Sequence, residues 1–110
     1  MTKHIQVAIL ALMNVKYTVH NIVFEWDSQK AAANLRKHDV TFELACESFF
    51  DPFICYLDDE IVGSELRERI VGLTTTWLLL YIVYVMRDDM IRIVSARSVT
   101  NAEREIYENQ

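Results

Sequence analysis

The stretch IRIVSAR, residues 91 to 97, places two permanent cations, Arg92 and Arg97, in an apolar sequence typical of a strand. A guanidinium stays charged, and its planar fork matches two oxygens of a phosphate or a carboxylate. In a regular strand, side chains five residues apart point to opposite sides of the sheet. The two arginines therefore reach one site only if the backbone bends, and the place for such a bend is near Ser95.

Three other side chains could take part in chemistry. Arg67 lies in another predicted strand and is a further phosphate candidate. His38 suits proton transfer because histidine titrates near neutral pH, but a structural histidine at the end of a helix explains it equally well. Tyr84 is an additional acid or base candidate. For each arginine the alternative is an ion pair, and the nearby carboxylates are those of Glu65, Glu68, Asp88 and Asp89.

The composition fits one compact domain, with 110 residues of which 52% are hydrophobic. The formal net charge of −5 argues against a protein that coats nucleic acid non-specifically, although it does not exclude a local basic site. Cys46 and Cys55 lie among apolar residues without CxxC spacing, and the histidines are scattered. The sequence therefore predicts buried free thiols and no metal site.

Two apolar runs, at 5–13 and 77–86, are shorter than the ~20 residues that a membrane-spanning helix needs. The first resembles a short signal segment, but no A-x-A-like cleavage site follows it. We expect no membrane segment and a cytoplasmic protein.

The first half of the chain predicts a strand region followed by helices. Residues 15–26 are rich in β-branched and aromatic residues, which favours one or two strands broken near Asn21. Asp27 can cap a helix over SQKAAANLRKH, and Thr41 can cap a second one that ends before Pro52. The predicted apolar stripe of the first helix contains Ala31, Leu35 and His38.

The second half predicts strands and a last short helix. The strands are FICYL, RERIVGLT, WLLLYIVYV and MIRIVSARS, and an acidic loop separates the first two. Thr100 and Glu103 form a T-x-x-E capping box. The order of elements indicates an α+β fold: an antiparallel meander with two helices packed on one face and a short C-terminal helix. The other face, partly open, is the predicted place of function.

Four segments together resemble the BrnT family, the toxin half of a bacterial type II toxin–antitoxin pair. They are FEWD, KAAANLRKHDVTFELACESFFDP, ELRERIVGL and IRIVSARSVTNAEREIY, which occur in the family's order over residues 24–107. The resemblance implies a RelE-like fold and a metal-independent ribonuclease that cuts RNA and halts translation. It also implies a DNA-binding antitoxin partner, BrnA in this family.

The resemblance also assigns positions. The family's Lys-His pair falls on Lys37 and His38, its strand arginine before a glycine on Arg67, and its R-x-x-S-A-R on Arg92 and Arg97. Lys30 and Lys37, on the basic surface of the first helix, are then candidates for RNA binding, and Tyr84 remains an acid or base candidate.

This sequence departs from the family in two respects. Asp39 stands where the family usually has glycine after Lys-His, which removes a residue that tolerates positive φ. Residues 1–20 lie outside the resemblance and are predicted to be an extension before a single domain at 21–110, with Met13 as an alternative start. The alternative function is a catalytically inactive member that binds the antitoxin as a regulatory module.

Overall fold

A computed structural model describes residues 13–110, which form one sheet system with helices on both of its faces. The strands are β1 (Asn14–Val19), β2 (Ile22–Asp27), β3 (Cys55–Tyr56), β4 (Glu60–Val62), β5 (Glu65–Leu73), β6 (Leu79–Arg87) and β7 (Met90–Ser98). The helices are α1 (Ser28–His38), α2 (Phe42–Glu47) with a 3-10 turn at Ser48–Phe50, and α3 (Asn101–Glu108). The predicted α+β class is confirmed.

The sheet is mixed, so the prediction of a purely antiparallel meander is wrong. The strand order is β1-β2-β7-β6-β5-β3, and β4 pairs with β5 off this path. All pairs are antiparallel except β2 with β7, where Phe24 pairs with Ile91 and Glu25 with Arg92. A parallel pair needs a long crossover, which α1, α2 and strands β3 to β6 supply here. No local pattern in the sequence predicts the pairing of two strands as distant along the chain as β2 and β7.

The predicted helix caps are present. The Asp27 carboxylate accepts hydrogen bonds from the backbone N–H groups of Gln29 (2.7 Å) and Lys30 (3.2 Å) at the start of α1. Thr41 Oγ1 accepts from Leu44 N at 3.1 Å, and Thr100 with Glu103 forms the complete capping box of α3. Local side-chain chemistry therefore sets where each helix begins.

The main core lies between the sheet and the pair α1 and α2, as predicted. Its largest fully buried side chains include those of Phe24, Phe42, Ile70, Leu80, Ile82 and Ile93. A second, smaller cluster lies on the opposite face, where Tyr107 of α3 packs with Val71 and Leu79. Two successive residues of β5, Ile70 and Val71, thus lie in different clusters. We call the face of the sheet opposite α1 and α2 the open face, and α3 covers only part of it.

The predicted apolar stripe of α1 is wrong at Leu35, which is 43% exposed. Asn34 instead turns toward the core. Its Nδ2 donates to the carbonyl oxygens of Ala96 (2.8 Å) and Val40 (3.0 Å), and its Oδ1 accepts from Ala96 N at 3.1 Å. The side-chain amide of Asn34 thus bonds both backbone groups of Ala96, as a neighbouring strand would. Strand β2 pairs with β7 only at residues 91 and 92 and does not reach Ala96.

Two boundaries differ from the sequence prediction. Residues 60–62 of the predicted acidic loop form β4, whose hairpin with β5 satisfies their backbone groups despite the unfavourable composition. All six residues of β1 pair with β2, so the described part of the sheet includes residues from Asn14 on, within the predicted N-terminal extension. A tight turn at His20 and Asn21, both with positive φ, joins β1 to β2.

Cys46 and Cys55 are free and buried, as predicted. Burial, with a smaller effect of Glu43, raises the pKa of the Cys46 thiol to about 12, which makes it a poor nucleophile. Within residues 13–110, no group of three or more His, Cys, Asp or Glu side chains could hold a metal ion. In the same range, no helix is long and apolar enough to cross a membrane.

Candidate functional site

A β-bulge in β7 turns Arg92 and Arg97 to the same face of the sheet. Val83 pairs with Ser95 and Tyr84 with Ile93, so that Val94 is an extra residue opposite β6. The bulge changes the alternation. The expected bend is therefore present, one residue before Ser95.

The neighbours of the two arginines confirm this orientation. Ile93 and Ala96, three residues apart, are both buried in the main core, whereas Arg97 lies over the ring of Tyr81 in the second cluster. Regular alternation would place Ala96 beside Arg92 on the open face, but the bulge reverses the direction of the residues that follow it. Arg92 and Arg97 nevertheless lie about 16 Å apart along the strand, and they occupy different surroundings.

Arg97 is held by α3. Its Nη1 and Nη2 donate to the two carboxylate oxygens of Glu103 at 2.8 and 2.9 Å, and its guanidinium carbon lies 4.0 Å from the centre of the Tyr81 ring. The hydrogen bonds from Arg97 lower the pKa of Glu103, and the same bonds raise that of Arg97. The fork of Arg97 is thus already filled by a carboxylate.

Arg92 lies in a cleft of about 450 Å³ where β1, β2 and the β6–β7 turn meet. The charged side chains that line the cleft are Lys16, Glu25, Asp27, Arg87, Asp88 and Arg92. Three are cationic and three are anionic, so the formal charges of the cleft sum to zero, whereas the whole chain carries a net charge of −5. It offers both a phosphate-binding group and carboxylates within one depression.

Glu25 and Arg92 form the floor of this cleft. Arg92 Nη1 lies 3.2 Å from Glu25 Oε1 and donates to Asn14 Oδ1 at 3.0 Å. Glu25 is only 4% exposed, since its neighbours Phe24 and Trp26 alternate into the core and leave it between Lys16 of β1 and Arg92 of β7. The sequence analysis missed Glu25, although an acid flanked by two core aromatics was the signal that could have found it.

Arg67 lies on the β4–β5 hairpin, outside this cleft. Its Nε is 3.1 Å from Glu65 Oε1, which is the ion pair that the alternative reading predicted. Arg69, which the sequence did not single out, donates from Nε to the carbonyl of Asp58 at 2.8 Å. Its Nη1 also donates to the Tyr81 hydroxyl at 3.4 Å. Tyr81 therefore contacts two cations, Arg69 and Arg97, on the open face.

The other predicted residues are not brought to the cleft. Tyr84 belongs to the main core, 5.1 Å from the Phe49 ring, and burial, followed by the nearby Glu68, raises the pKa of its phenol. His38 is the half-buried last residue of α1, and Lys30 and Lys37 are exposed on that helix. Buried among apolar side chains, Tyr84 is poorly placed to meet a substrate.

A family model described as "Ribonuclease toxin, BrnT, of type II toxin-antitoxin system" matches residues 26–103, more than half of the chain. The chain belongs to the BrnT family. The matched part includes Asn34, Arg67, Arg92 and Arg97, whereas Glu25 lies one residue before it. Membership places the chain among the ribonuclease toxins of type II toxin–antitoxin systems.

One solved structure, that of the ribonuclease toxin BrnT from Brucella abortus, is similar to this BrnT-family chain. The two are 16% identical, with a TM-score of 0.47, and the match covers 69% of this chain and 94% of the other. A search of curated proteins returned no match.

Asp39, the C-cap residue of α1, has φ 57° and ψ 34°. Its backbone N–H donates to the carbonyl of Leu35 at 2.9 Å and closes α1. The backbone of Asp39 therefore adopts the left-handed conformation that glycine favours, which is strained for a residue with a Cβ atom.

Proposed function

We propose that this protein is the toxin of a type II toxin–antitoxin pair and a metal-independent endoribonuclease. It would act in the cytoplasm, cut RNA and so inhibit translation. A BrnA-like DNA-binding antitoxin would neutralise it. The observation that carries the proposal is the cleft, in which Arg92 lies against a buried carboxylate on the open face of a BrnT-family sheet.

The chemistry asks little of the protein. RNA carries its own nucleophile, the 2′-hydroxyl, so cutting needs a base, a proton source for the leaving oxygen and donors aimed at the phosphate. Both recorded contacts of Arg92 use Nη1, and within residues 13–110 its Nη2 and Nε have no recorded partner. That free edge can hold a phosphate oxygen. Arg92 thus takes precedence over Arg67 and Arg97 in the proposed site.

The remaining predicted residues take secondary roles. Lys30 and Lys37 are exposed and can contact the RNA backbone. His38 remains a candidate for proton transfer, which a His38→Gln variant would test. Tyr84 is no longer assigned a catalytic role, because its ring is in the core. The proposal includes a RelE-like relationship of the fold and requires no metal or organic cofactor.

Two assays test the proposal. Expression of the full chain in bacteria is expected to stop growth, and co-expression of the neighbouring antitoxin gene is expected to restore it. Purified protein is expected to cut RNA in excess EDTA. Normal growth together with intact RNA, in a purified mixture and in a translation extract, would refute the toxin function.

A second candidate function is an inactive member that binds the antitoxin. It is favoured by the ion pairs, since Arg67, Arg92 and Arg97 each contact a carboxylate within 3.2 Å. Such a protein would bind a BrnA-like antitoxin and leave RNA intact. Antitoxin binding measured by calorimetry, with no growth arrest, would select this function over the first.

A further inference from the structure

We infer that Glu25 is the general base of the proposed ribonuclease, acting on the 2′-hydroxyl of an RNA nucleotide bound in the cleft with its phosphate on Arg92. The inference rests on the proposed activity and assigns the general base within it. Glu25 lines the cleft that holds Arg92 and is almost fully buried there.

Glu25 is the only one of the three cleft carboxylates, within the described residues, that suits this role. Asp27 is committed to the N-cap of α1 through the hydrogen bonds it accepts from Gln29 and Lys30. Asp88 lies exposed in the turn between β6 and β7, with φ 52°. A base must instead be held within hydrogen-bond reach of the group from which it takes a proton.

The two oxygens of Glu25 have different surroundings. Oε1 lies 3.2 Å from Arg92 Nη1, which orients the carboxylate, and Oε2 has no recorded contact within residues 13–110. Lys16 pairs with Glu25 across β1 and β2, and Arg87 stands at the same cleft. A phosphodiester held by these cations would bring its adjacent ribose to Oε2.

The proton and the bonds balance in one transesterification. Glu25 takes the proton of the 2′-hydroxyl as O2′ forms a bond to phosphorus. The bond from phosphorus to O5′ breaks, and O5′ takes a proton from water. The products are a 2′,3′-cyclic phosphate end and a 5′-hydroxyl end, and Glu25 returns its proton to solvent. The guanidinium of Arg92 bears the charge that develops on the phosphate oxygens.

The test compares the full-length wild type with Glu25→Gln, which keeps the shape of the side chain but cannot accept the proton. Glu105→Gln, an exposed position on α3, is the matched control. Steady-state cutting of a short RNA in EDTA is measured, with circular dichroism and thermal melting of each variant. We expect Glu25→Gln to lower kcat at least about 100-fold and to change KM by less than about threefold, with Glu105→Gln unchanged.

Other outcomes of these measurements would overturn either the general-base role of Glu25 or the proposed function. A Glu25→Gln kcat within about threefold of the wild type, or a raised KM with unchanged kcat, would overturn the general-base role. If Glu25→Gln fails to fold, the exposed Lys16→Ala variant tests the same cleft, and unchanged KM and kcat there would overturn the inference. RNA left intact by the wild type would overturn the proposed function itself.

Discussion

At the scale of single residues, Asn34 is the side chain on which the geometry of β7 most depends. It bonds both backbone groups of Ala96, the residue that lies between the bulge and Arg97. Asn34→Ala would leave those buried groups unpaired, and we expect it to lower the free energy of unfolding by about 2–4 kcal/mol.

Denaturant titration checks this prediction. Gln29→Ala, which removes an exposed amide from the same helix, is the control and should change stability by less than about 0.5 kcal/mol. Equal stabilities of the two variants would show that the Asn34 contacts contribute nothing.

Asp39 gives a residue-scale prediction of the opposite sign. Its positive φ of 57° is strained for a residue with a Cβ atom. Asp39→Gly should therefore stabilise the protein by about 0.5–1 kcal/mol, whereas Asp39→Ala should destabilise it. Thermal unfolding measures both changes, and a lower melting temperature for Asp39→Gly would contradict the strain argument.

At the scale of elements, hydrogen bonds of two carboxylates, Glu103 and Asp51, hold α3 against the sheet. Arg97 and the backbone of Thr100 bond Glu103 and hold its pKa below the ordinary 4.5. Burial tends to raise the pKa of Asp51, but hydrogen bonds from Tyr107, Leu73 and Phe53 lower it overall. Because both pKa values are lowered in the folded state, both contributions to stability are complete above the unfolded-state pKa. They are lost as pH falls through the folded-state values.

Glu103→Gln isolates one of these contributions. The variant should be less stable than the wild type by about 1–2 kcal/mol at pH 7, and the difference should shrink as the pH falls through the lowered pKa of Glu103. Glu108→Gln is the control, because Glu108 is exposed and its carboxylate lies 3.8 Å from the exposed Arg104. Denaturation curves from pH 7 to acid measure the effect, and a difference that is independent of pH would contradict it.

The contact between β5 and the 3-10 turn gives a second element-scale prediction. A Cβ atom at Gly72 would lie 2.4 Å from the carbonyl oxygen of Ser48, so Gly72→Ala must push the turn away from the strand. We expect a loss of about 2–3 kcal/mol. Gly63→Asn is the control, because Gly63 has open space around it and Asn tolerates its φ of 64°. Similar denaturation midpoints for both variants would contradict the close-contact argument.

Local sequence signals predicted the elements well. Asp27, Thr41 and Thr100 cap their helices as expected, because a cap depends on residues only two or three positions away. The parallel pairing of Glu25 with Arg92 could not be read in this way, since 66 intervening residues must fold before the two strands meet. The spacing of Arg92 and Arg97 predicted a bend in β7 only on the condition that both side chains reach one site.

The candidate site was predicted less well for the same reason. Arg92 was identified by its residue type, but its partners Glu25 and Asn14 come from two other strands, so no spacing along the chain reveals them. The sequence alone did not show that Tyr84 occupies the core face of β6, where its ring packs with the main core.

At the scale of the whole molecule, an acidic protein carries a group of cations on the open face of its sheet. The chain has a net charge of −5, yet Lys16, Arg69, Arg92 and Arg97 all lie on the open face, and α3 covers only the part around Arg97. The uncovered part ends in the cleft. A small local site, and not a broad basic surface, is what such a charge distribution suits.

The most direct test is the rate at which the purified full chain cuts RNA in excess EDTA, measured for the wild type and for Arg92→Gln. Arg104→Gln, an exposed arginine on α3, is the control. The account predicts a 2′,3′-cyclic phosphate product, a rate at least about 100-fold lower for Arg92→Gln, and no change for Arg104→Gln. Cutting that EDTA abolishes, or that Arg92→Gln leaves at the wild-type rate, would contradict it.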